Sequence, residues 1–219
     1  MVQISLTSNF IFYQKYTTMA GILARKVEMT RVIKGDKFVP VTILEVPTLK
    51  VVGFKTIEKD GYEAILVGVP KKNAELKVAK GKKSLPVNQF SEIQEFDLSD
   101  GKPEGLDVGS DITLDLLEWV ELVRVTWFSK WKWFTGAMKK HNFSGWPATH
   151  GSKFHRALGS IWNRKPKRTH KGKKMHGHHG NIKVTLKKVP LELVNKEASL
   201  IGVRWWVPGA RNSLVTITF

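Results

Sequence analysis

The sequence predicts a mainly β protein, a barrel or a sandwich, with a partly helical insertion and a long irregular basic extension. Short β-branched runs recur at regular intervals with turn signals between them, a pattern typical of barrels and sandwiches. One internal segment, residues 122–191, contains 17 of the 36 Lys and Arg residues, all seven His residues and no Asp or Glu. The remaining basic and acidic residues cancel, so the formal net charge of +17 belongs to that segment.

The predicted strands are separated by turns that contain glycine or proline. Asp60-Gly61 and Pro208-Gly209 are the clearest turn signals, and Pro40 interrupts the first run. Apolar and β-branched runs predict strands at residues 39–46, 50–56, 63–69, 111–117, 120–126, 182–187, 191–194, 199–204 and 214–219. The Lys-rich run at 71–83, with apolar residues at helical spacing, and a second short element at 91–98 predict a partly helical insertion.

The same pattern divides the chain into three regions. We interpret residues 1–18 as a disordered or mis-annotated N-terminal extension, with Met19 as the alternative start. Residues 19–126 and 181–219 are expected to form the β body, which carries the insertion at about 70–110. Residues 127–180 are expected to form the basic extension, a loop between two strands.

The charge of the extension predicts a polyanionic partner. Positive charges without counter-charges resist compaction unless a polyanion neutralises them. Nucleic acid is the usual polyanion, because each Lys or Arg that reaches a phosphate releases condensed counterions. A disordered basic tail is the alternative, but such tails are terminal and poor in apolar residues. This segment is internal and contains Phe134, Phe143 and Phe154, so nucleic-acid binding is favoured.

Other chemistries are disfavoured by the residues that are missing. The absence of Cys excludes disulfides and thiol catalysis and is compatible with a reducing cytosol. No apolar run approaches the roughly 18 residues that span a membrane. The histidines of 175–180 lack a nearby Cys or carboxylate to complete a metal site, and Ser152 with His150 and His155 lacks the carboxylate of a catalytic triad. We therefore expect no enzyme, cofactor, metal or small-molecule substrate.

Five ordered segments carry a family resemblance. They are residues 21–31 (Gly-Ile-Leu-Ala-Arg-Lys-Val-Glu-Met-Thr-Arg), 143–156 (Phe-Ser-Gly-Trp-Pro-Ala-Thr-His-Gly-Ser-Lys-Phe-His-Arg), 159–161 (Gly-Ser-Ile), 171–181 (Lys-Gly-Lys-Lys-Met-His-Gly-His-His-Gly-Asn) and 207–210 (Val-Pro-Gly-Ala). Together they resemble the bacterial type of the large-subunit ribosomal protein L three family. The resemblance covers essentially residues 19–219.

The resemblance implies a specific fold and function. The fold is a six-stranded translation-protein-type β-barrel, and the function is structural: the protein binds large-subunit (23S-type) rRNA directly, nucleates assembly and extends a basic loop toward the peptidyl transferase centre. Neighbouring large-subunit proteins are the further partners, and the location is the cytoplasmic ribosome. By position, the tip of the extension falls on Trp146, Pro147, Ala148, Thr149 and His150.

The residues expected to bind rRNA lie on both arms of the extension. Lys and Arg neutralise phosphates, and Arg can also pair with two oxygens or stack on a base. The set is Lys130, Lys132, Lys139, Lys140, His141, His150, Lys153, His155, Arg156, Arg164, Lys165, Lys167, Arg168, Lys171, Lys173 and Lys174. A free-standing nucleic-acid-binding module or RNA chaperone that uses the same extension is the alternative function.

Tryptophan is the main departure from the family pattern. Where the family typically has Thr-Gly-x-Ser-Lys-Gly-Lys-Gly-Phe, residues 126–134 are Thr-Trp-Phe-Ser-Lys-Trp-Lys-Trp-Phe. Some bacterial lineages read the codon UGA as glycine, and translating such a gene with a UGA-to-Trp table would produce this pattern. The positions in question are Trp119, Trp127, Trp131, Trp133, Trp146, Trp162, Trp205 and Trp206. Stacking of genuine tryptophans on RNA bases is the competing interpretation, and ordinary core tryptophan is the third.

Overall fold

A computed structural model of the chain describes residues 21–72, 84–98 and 106–219. These residues divide into two compact units, one within Met1–Trp127 and Thr185–Phe219, here called the body, and one formed by Phe128–Val184, here called the basic unit. The structure is mainly β. Its strands are β1 (Gly21–Lys34), β2 (Lys37–Glu45), β3 (Leu49–Lys55), β4 (Ala64–Pro70), β5 (Phe90–Asp97), β6 (Asp111–Ile112), β7 (Leu122–Phe128), β8 (Phe134–Thr135), β9 (Gly177–His178), β10 (Lys183–Asn195), β11 (Leu200–Arg204) and β12 (Leu214–Thr218).

Helices are short. They are the α-helices α1 (Ile57–Asp60) and α2 (Ala137–His141), and the 3₁₀ helices Val87–Gln89 and Leu114–Leu117. No helix among the described residues is long and apolar enough to cross a lipid bilayer.

Six strands of the body form a ring of hydrogen-bonded neighbours in the order β1-β12-β7-β10-β11-β2. The ring is closed because each of the six strands has two neighbours in this order, and β1, for example, pairs antiparallel with both β12 and β2. Along β7, Val123 and Val125 are buried while Leu122 and Arg124 are exposed. This period of two is the signature of a strand with one face on the core. The β-branched runs therefore form strands because alternate side chains leave water together.

A second sheet of the body has the order β5-β4-β3-β6. The central strand β4 has the sequence Ala-Ile-Leu-Val-Gly-Val-Pro and is buried along most of its length. Its side chains join those of the ring in one hydrophobic core, in which Ile22, Leu44, Leu49 and Ile201 are almost inaccessible to solvent. The two sheets are thus held together by burial of aliphatic side chains, the dominant favourable contribution to folding.

The structure corrects three of the predicted elements. Residues 91–98, predicted as a short element of the partly helical insertion, lie in strand β5 as far as Asp97, and this strand pairs with β4 with a register shift between Val69 and Pro70. Residues 111–117, predicted as one strand, form the two-residue strand β6 and then the 3₁₀ helix Leu114–Leu117. That helix buries Leu114 and Leu117 together, because residues i and i+3 are aligned in a 3₁₀ helix.

The third correction concerns residues 182–187 and 191–194, predicted as two strands. Apart from Ile182, they lie in the single strand β10, which continues through Pro190 with a register shift between Leu191 and Leu193. Residues 21–34, which were not assigned as a strand, form β1. Most of the Lys-rich run predicted to be helical at 71–83, and the N-terminal extension predicted at 1–18, lie outside the described residues.

Candidate nucleic-acid interface

The two arms of the basic unit are paired along a short stem. The Ser129 N–H donates to the Ile182 carbonyl at 2.9 Å, and the Lys132 N–H donates to the His179 carbonyl at 2.8 Å. Beyond them, β8 pairs antiparallel with β9, with Phe134 opposite His178. The outgoing and returning arms therefore lie side by side along this stem. This closure joins residues about fifty positions apart, and the sequence pattern does not show which of them pair.

The helix α2 follows the stem and carries three basic residues in its last turn, Lys139, Lys140 and His141. Asn142 ends the helix in a left-handed conformation (φ 57°), and its N–H donates to the Met138 carbonyl at 2.9 Å. Asparagine is one of the few side chains that occupy this region readily. The His141 ring Nε2 lies 3.0 Å from the Met175 carbonyl oxygen, so α2 is tied to the returning arm.

The predicted tip, residues 146–150, forms a compact turn within the basic unit. The Trp146 N–H donates to the His155 carbonyl at 3.1 Å, and the His155 Nδ1 lies 3.2 Å from the Pro147 carbonyl oxygen. His150 and Gly151 are both left-handed at the turn. All five tip residues are exposed. The tip thus presents side chains outward from a backbone that is closed on itself.

The predicted rRNA-binding residues form an exposed cationic surface. Of the 16, only Lys140 and His141 are half-buried, and the remaining 14 are exposed. The basic unit contains no Asp or Glu, so none of its cations can form an ion pair within the unit. The salt bridges found among the described residues, such as Lys50–Asp111 and Lys55–Glu95, lie in the body. The charge of the basic unit therefore remains available to phosphate.

A hollow of about 380 Å³ lies beside α2 and combines three kinds of contact. Lys132, Lys139 and Arg156 supply positive charge, and Phe134 supplies an exposed aromatic ring. Thr135 is 7% exposed, and its Oγ1 is buried without a hydrogen-bond partner among the described residues. A buried hydroxyl without a partner costs free energy, so a turn of the Thr135 side chain toward a ligand in the hollow would be favoured.

Sequence reasoning missed Thr135 as a site residue. No signal in the sequence distinguishes it from other threonines, because the hollow is completed by Arg156, twenty-one positions later. Phe134 was recognised only as one of several isolated aromatic residues of the extension.

Comparison with known proteins identifies the family. No protein-family model matches the chain. It is 41% identical over 201 residues to the large ribosomal subunit protein uL3 of Thermosipho melanesiensis, covering 91% of this chain and 97% of that protein. It is also 41% identical to the uL3 of Thermotoga maritima and 38% identical to that of Borreliella afzelii, again over 91% of the chain and at least 96% of each relative. This chain belongs to the uL3 family. The resemblance inferred from the five segments is confirmed.

The uL3 match includes most of the basic unit. Phe128–Val184 makes up 57 of the 219 residues, whereas only 9% of the chain falls outside the match. The basic unit is therefore not an insertion found in this chain alone, because most of it is matched in its uL3 relatives.

Side chains whose types might have suggested catalysis or metal binding form hydrogen bonds with the backbone in this uL3 chain. The Ser152 Oγ donates to the Phe154 carbonyl at 2.9 Å, and His178 Nε2 lies 3.1 Å from the Gly180 carbonyl oxygen. Within the described residues, no group of three or more His, Cys, Asp or Glu is placed to hold a metal ion. The histidine-rich segment 175–180 thus contributes to the stem.

His179 makes the basic unit sensitive to acid. Desolvation is the largest cause that lowers the pKa of its imidazole from the ordinary 6.5, and the nearby Lys132, Lys140 and Lys139 lower it further. The unfolded chain therefore binds a proton at a higher pH than the folded chain does. The contribution of His179 to folding stability is therefore fully present above pH 6.5 and is lost as the pH falls through the lowered pKa.

We expect the stem of the basic unit to open more readily as the pH falls below 6.5, because protonation of His179 is penalised in the folded state. Hydrogen exchange of the Lys132 and His179 amides, corrected for intrinsic exchange rates, would measure this opening. A His179→Gln variant, which cannot titrate at this position, should show a weaker pH dependence. An unchanged pH dependence in that variant would contradict the assignment to His179.

Proposed function

We propose that this chain is a structural constituent of the large ribosomal subunit that binds large-subunit (23S-type) rRNA through its basic unit. The observation that carries the proposal is the 41% identity to uL3 proteins over nearly their whole length. These relatives are named as large ribosomal subunit proteins. The role is structural, without catalysis or a cofactor. Neighbouring large-subunit proteins are its further partners.

The basic unit binds rRNA chiefly through phosphate neutralisation. Its exposed Lys and Arg side chains replace condensed counterions, whose release drives association and makes it dependent on salt. These contacts set the register of the protein on the RNA and carry no sequence information themselves. Gly151 and Gly172, both left-handed and exposed, bring the backbone close to the RNA without a side chain in the way.

The hollow beside α2 accommodates one unstacked nucleotide. Single-stranded RNA is recognised by stacking of bases on aromatic rings and by hydrogen bonds to their edges. Phe134 offers the ring, Thr135 offers the buried hydroxyl, and Arg156 with Lys139 offers charge to the phosphate. This arrangement adds selectivity for an unstacked base to a surface that otherwise binds RNA through charge.

Three finer features complete the proposal. The six-stranded ring of the body is a translation-protein-type β-barrel, supported by its closed strand order. Residues 127–180 act as an RNA-penetrating extension whose tip, residues 146–150, reaches toward the peptidyl transferase centre. The chain binds rRNA early and nucleates assembly of the subunit. The last two features rest on the family resemblance.

The test compares the full chain with a variant that lacks the extension. Ser129 and Asn181 are already hydrogen-bonded, since the Asn181 N–H donates to the Ser129 carbonyl at 3.2 Å. A short Asn-Gly turn can therefore join them and replace residues 130–180. Both tagged proteins would be expressed in the source organism, and large subunits would be isolated on salt-containing sucrose gradients.

We expect the full chain at one copy per large subunit and the shortened variant to be lost as salt is raised. A full chain that stays out of the large subunit while still binding RNA would contradict the proposal. That outcome would support the free-standing RNA-binding module or RNA chaperone instead.

A further inference from the structure

The eight tryptophans of this chain are placed where tryptophan is least expected. Seven of them are exposed, from 46% at Trp206 to 80% at Trp119, and only Trp127 packs partly against the core. Tryptophan normally buries most of its surface, because its indole is the largest apolar side chain. The structure gains little burial from these indoles.

Two of the eight lie in a backbone conformation that bulky residues avoid. Trp133 has φ 53° and Trp205 has φ 71°. In this left-handed region the Cβ approaches the following carbonyl oxygen, and glycine is the usual occupant because it has no Cβ. A large side chain there is an outlier that requires an explanation.

At both positions the hydrogen bonds of the fold are formed by the backbone and not by the indole. The Trp205 N–H donates to the Pro40 carbonyl at 2.8 Å, and its carbonyl accepts from the Thr42 hydroxyl at 2.6 Å, while the residue is 60% exposed. The Trp133 carbonyl accepts from the His179 N–H at 2.9 Å, while the residue is 68% exposed. Glycine supplies the same N–H and carbonyl groups without the strain.

Base stacking accounts for only part of the pattern. Trp131 and Trp133 lie edge to face with centroids 5.6 Å apart, and the Trp146 indole N–H donates to the Ala157 carbonyl at 3.0 Å. A stacking platform belongs with the cationic surface, however, and Trp119, Trp205 and Trp206 lie in the body. A single cause that explains the tryptophans of both units is therefore preferred.

We infer that all eight positions are glycine in the native protein. Their codons are UGA, which the source organism decodes as glycine. A UGA-to-Trp table translates the same codons as the tryptophans of the printed sequence. UGA differs from the glycine codon GGA only at its first base, so a glycine tRNA can pair with it after a change of one anticodon base. The native chain then contains no tryptophan, and Trp133 and Trp205 become ordinary left-handed glycines. This inference does not depend on the proposed function.

The first test is to sequence the gene. All eight tryptophan codons are expected to be UGA, and UGG at these positions would overturn the inference.

The second test measures the protein in total extracts of the source organism. Trypsin releases residues 125–130, 133–139, 157–164 and 205–211 as separate peptides that contain five of the eight positions. Heavy-labelled synthetic peptides of both compositions, added as standards, make either form measurable by mass spectrometry. Glycine masses are expected in all four peptides. Tryptophan masses would overturn the inference and leave base stacking as the account of the residues in the basic unit.

Discussion

Exchanging seven cations of the returning arm for glutamine is expected to make rRNA binding far less sensitive to salt. The seven are all exposed: Arg164, Lys165, Lys167, Arg168, Lys171, Lys173 and Lys174. Each phosphate contact contributes roughly 0.7 to 0.9 to the slope of log affinity against log salt, so seven contacts contribute about 5 to 6. Titrating a large-subunit rRNA fragment at several salt concentrations would measure the slope of the full chain and of the variant.

A matched pair of smaller variants separates position from net charge. One replaces Lys171, Lys173 and Lys174 with glutamine, and the other replaces Lys37, Lys59 and Lys72, three exposed lysines of the body. Both lose three positive charges. The first should reduce the slope by roughly 2 to 3, and the second should change it much less. Equal reductions would show that binding follows the total charge of the chain and not the basic unit.

Replacing Gly180 with alanine is expected to disrupt the stem of the basic unit. Gly180 is buried with φ 82°, and a Cβ there would collide with the backbone carbonyl of Lys130. Its neighbour His179 carries two hydrogen bonds of the stem, so the backbone cannot move aside without breaking them. The left-handed conformation costs an alanine roughly 1–2 kcal/mol and the overlap about 1–3 kcal/mol more, giving about 2–5 kcal/mol in all.

Gly172→Ala is the control for this substitution. Gly172 has a similar φ of 74°, but nothing lies within 4 Å of the position of its Cβ. Only the cost of the left-handed conformation, about 1–2 kcal/mol, should appear there. Limited proteolysis of the basic unit and hydrogen exchange of the stem amides would compare the two variants. Equal destabilisation would mean that the close approach of Gly180 to Lys130 does not hold the stem together.

Residues 91–98 show how tertiary structure overrides local preference. This segment is Ser-Glu-Ile-Gln-Glu-Phe-Asp-Leu, which is rich in Glu and Gln and poor in the β-branched residues typical of strands. Residues 91–97 nevertheless lie in β5, because the apolar strand β4 offers hydrogen-bond partners along most of it. Its place at the edge of the sheet explains the composition, since several of its side chains face solvent.

The assignment of the family needed no coordinates. The five ordered segments identified it, and the relatives at 38–41% identity confirmed it. Long motifs in a fixed order are specific because chance rarely reproduces several of them together. The β class was equally accessible, since short β-branched runs at regular intervals with turn signals between them are typical of barrels and sandwiches.

The sequence by itself determined the family, the β class and the sign of the partner's charge. These follow from ordered motifs, from regularly spaced β-branched runs and from a sum of charges, and none of the three depends on contacts between distant residues. Only the tertiary structure decided which residues meet: Lys132 beside His179 in the stem, and Thr135 beside Arg156 in the hollow. The physical reason is chain closure. Contacts between residues tens of positions apart depend on how the arms are paired, and the local sequence of neither arm specifies that register.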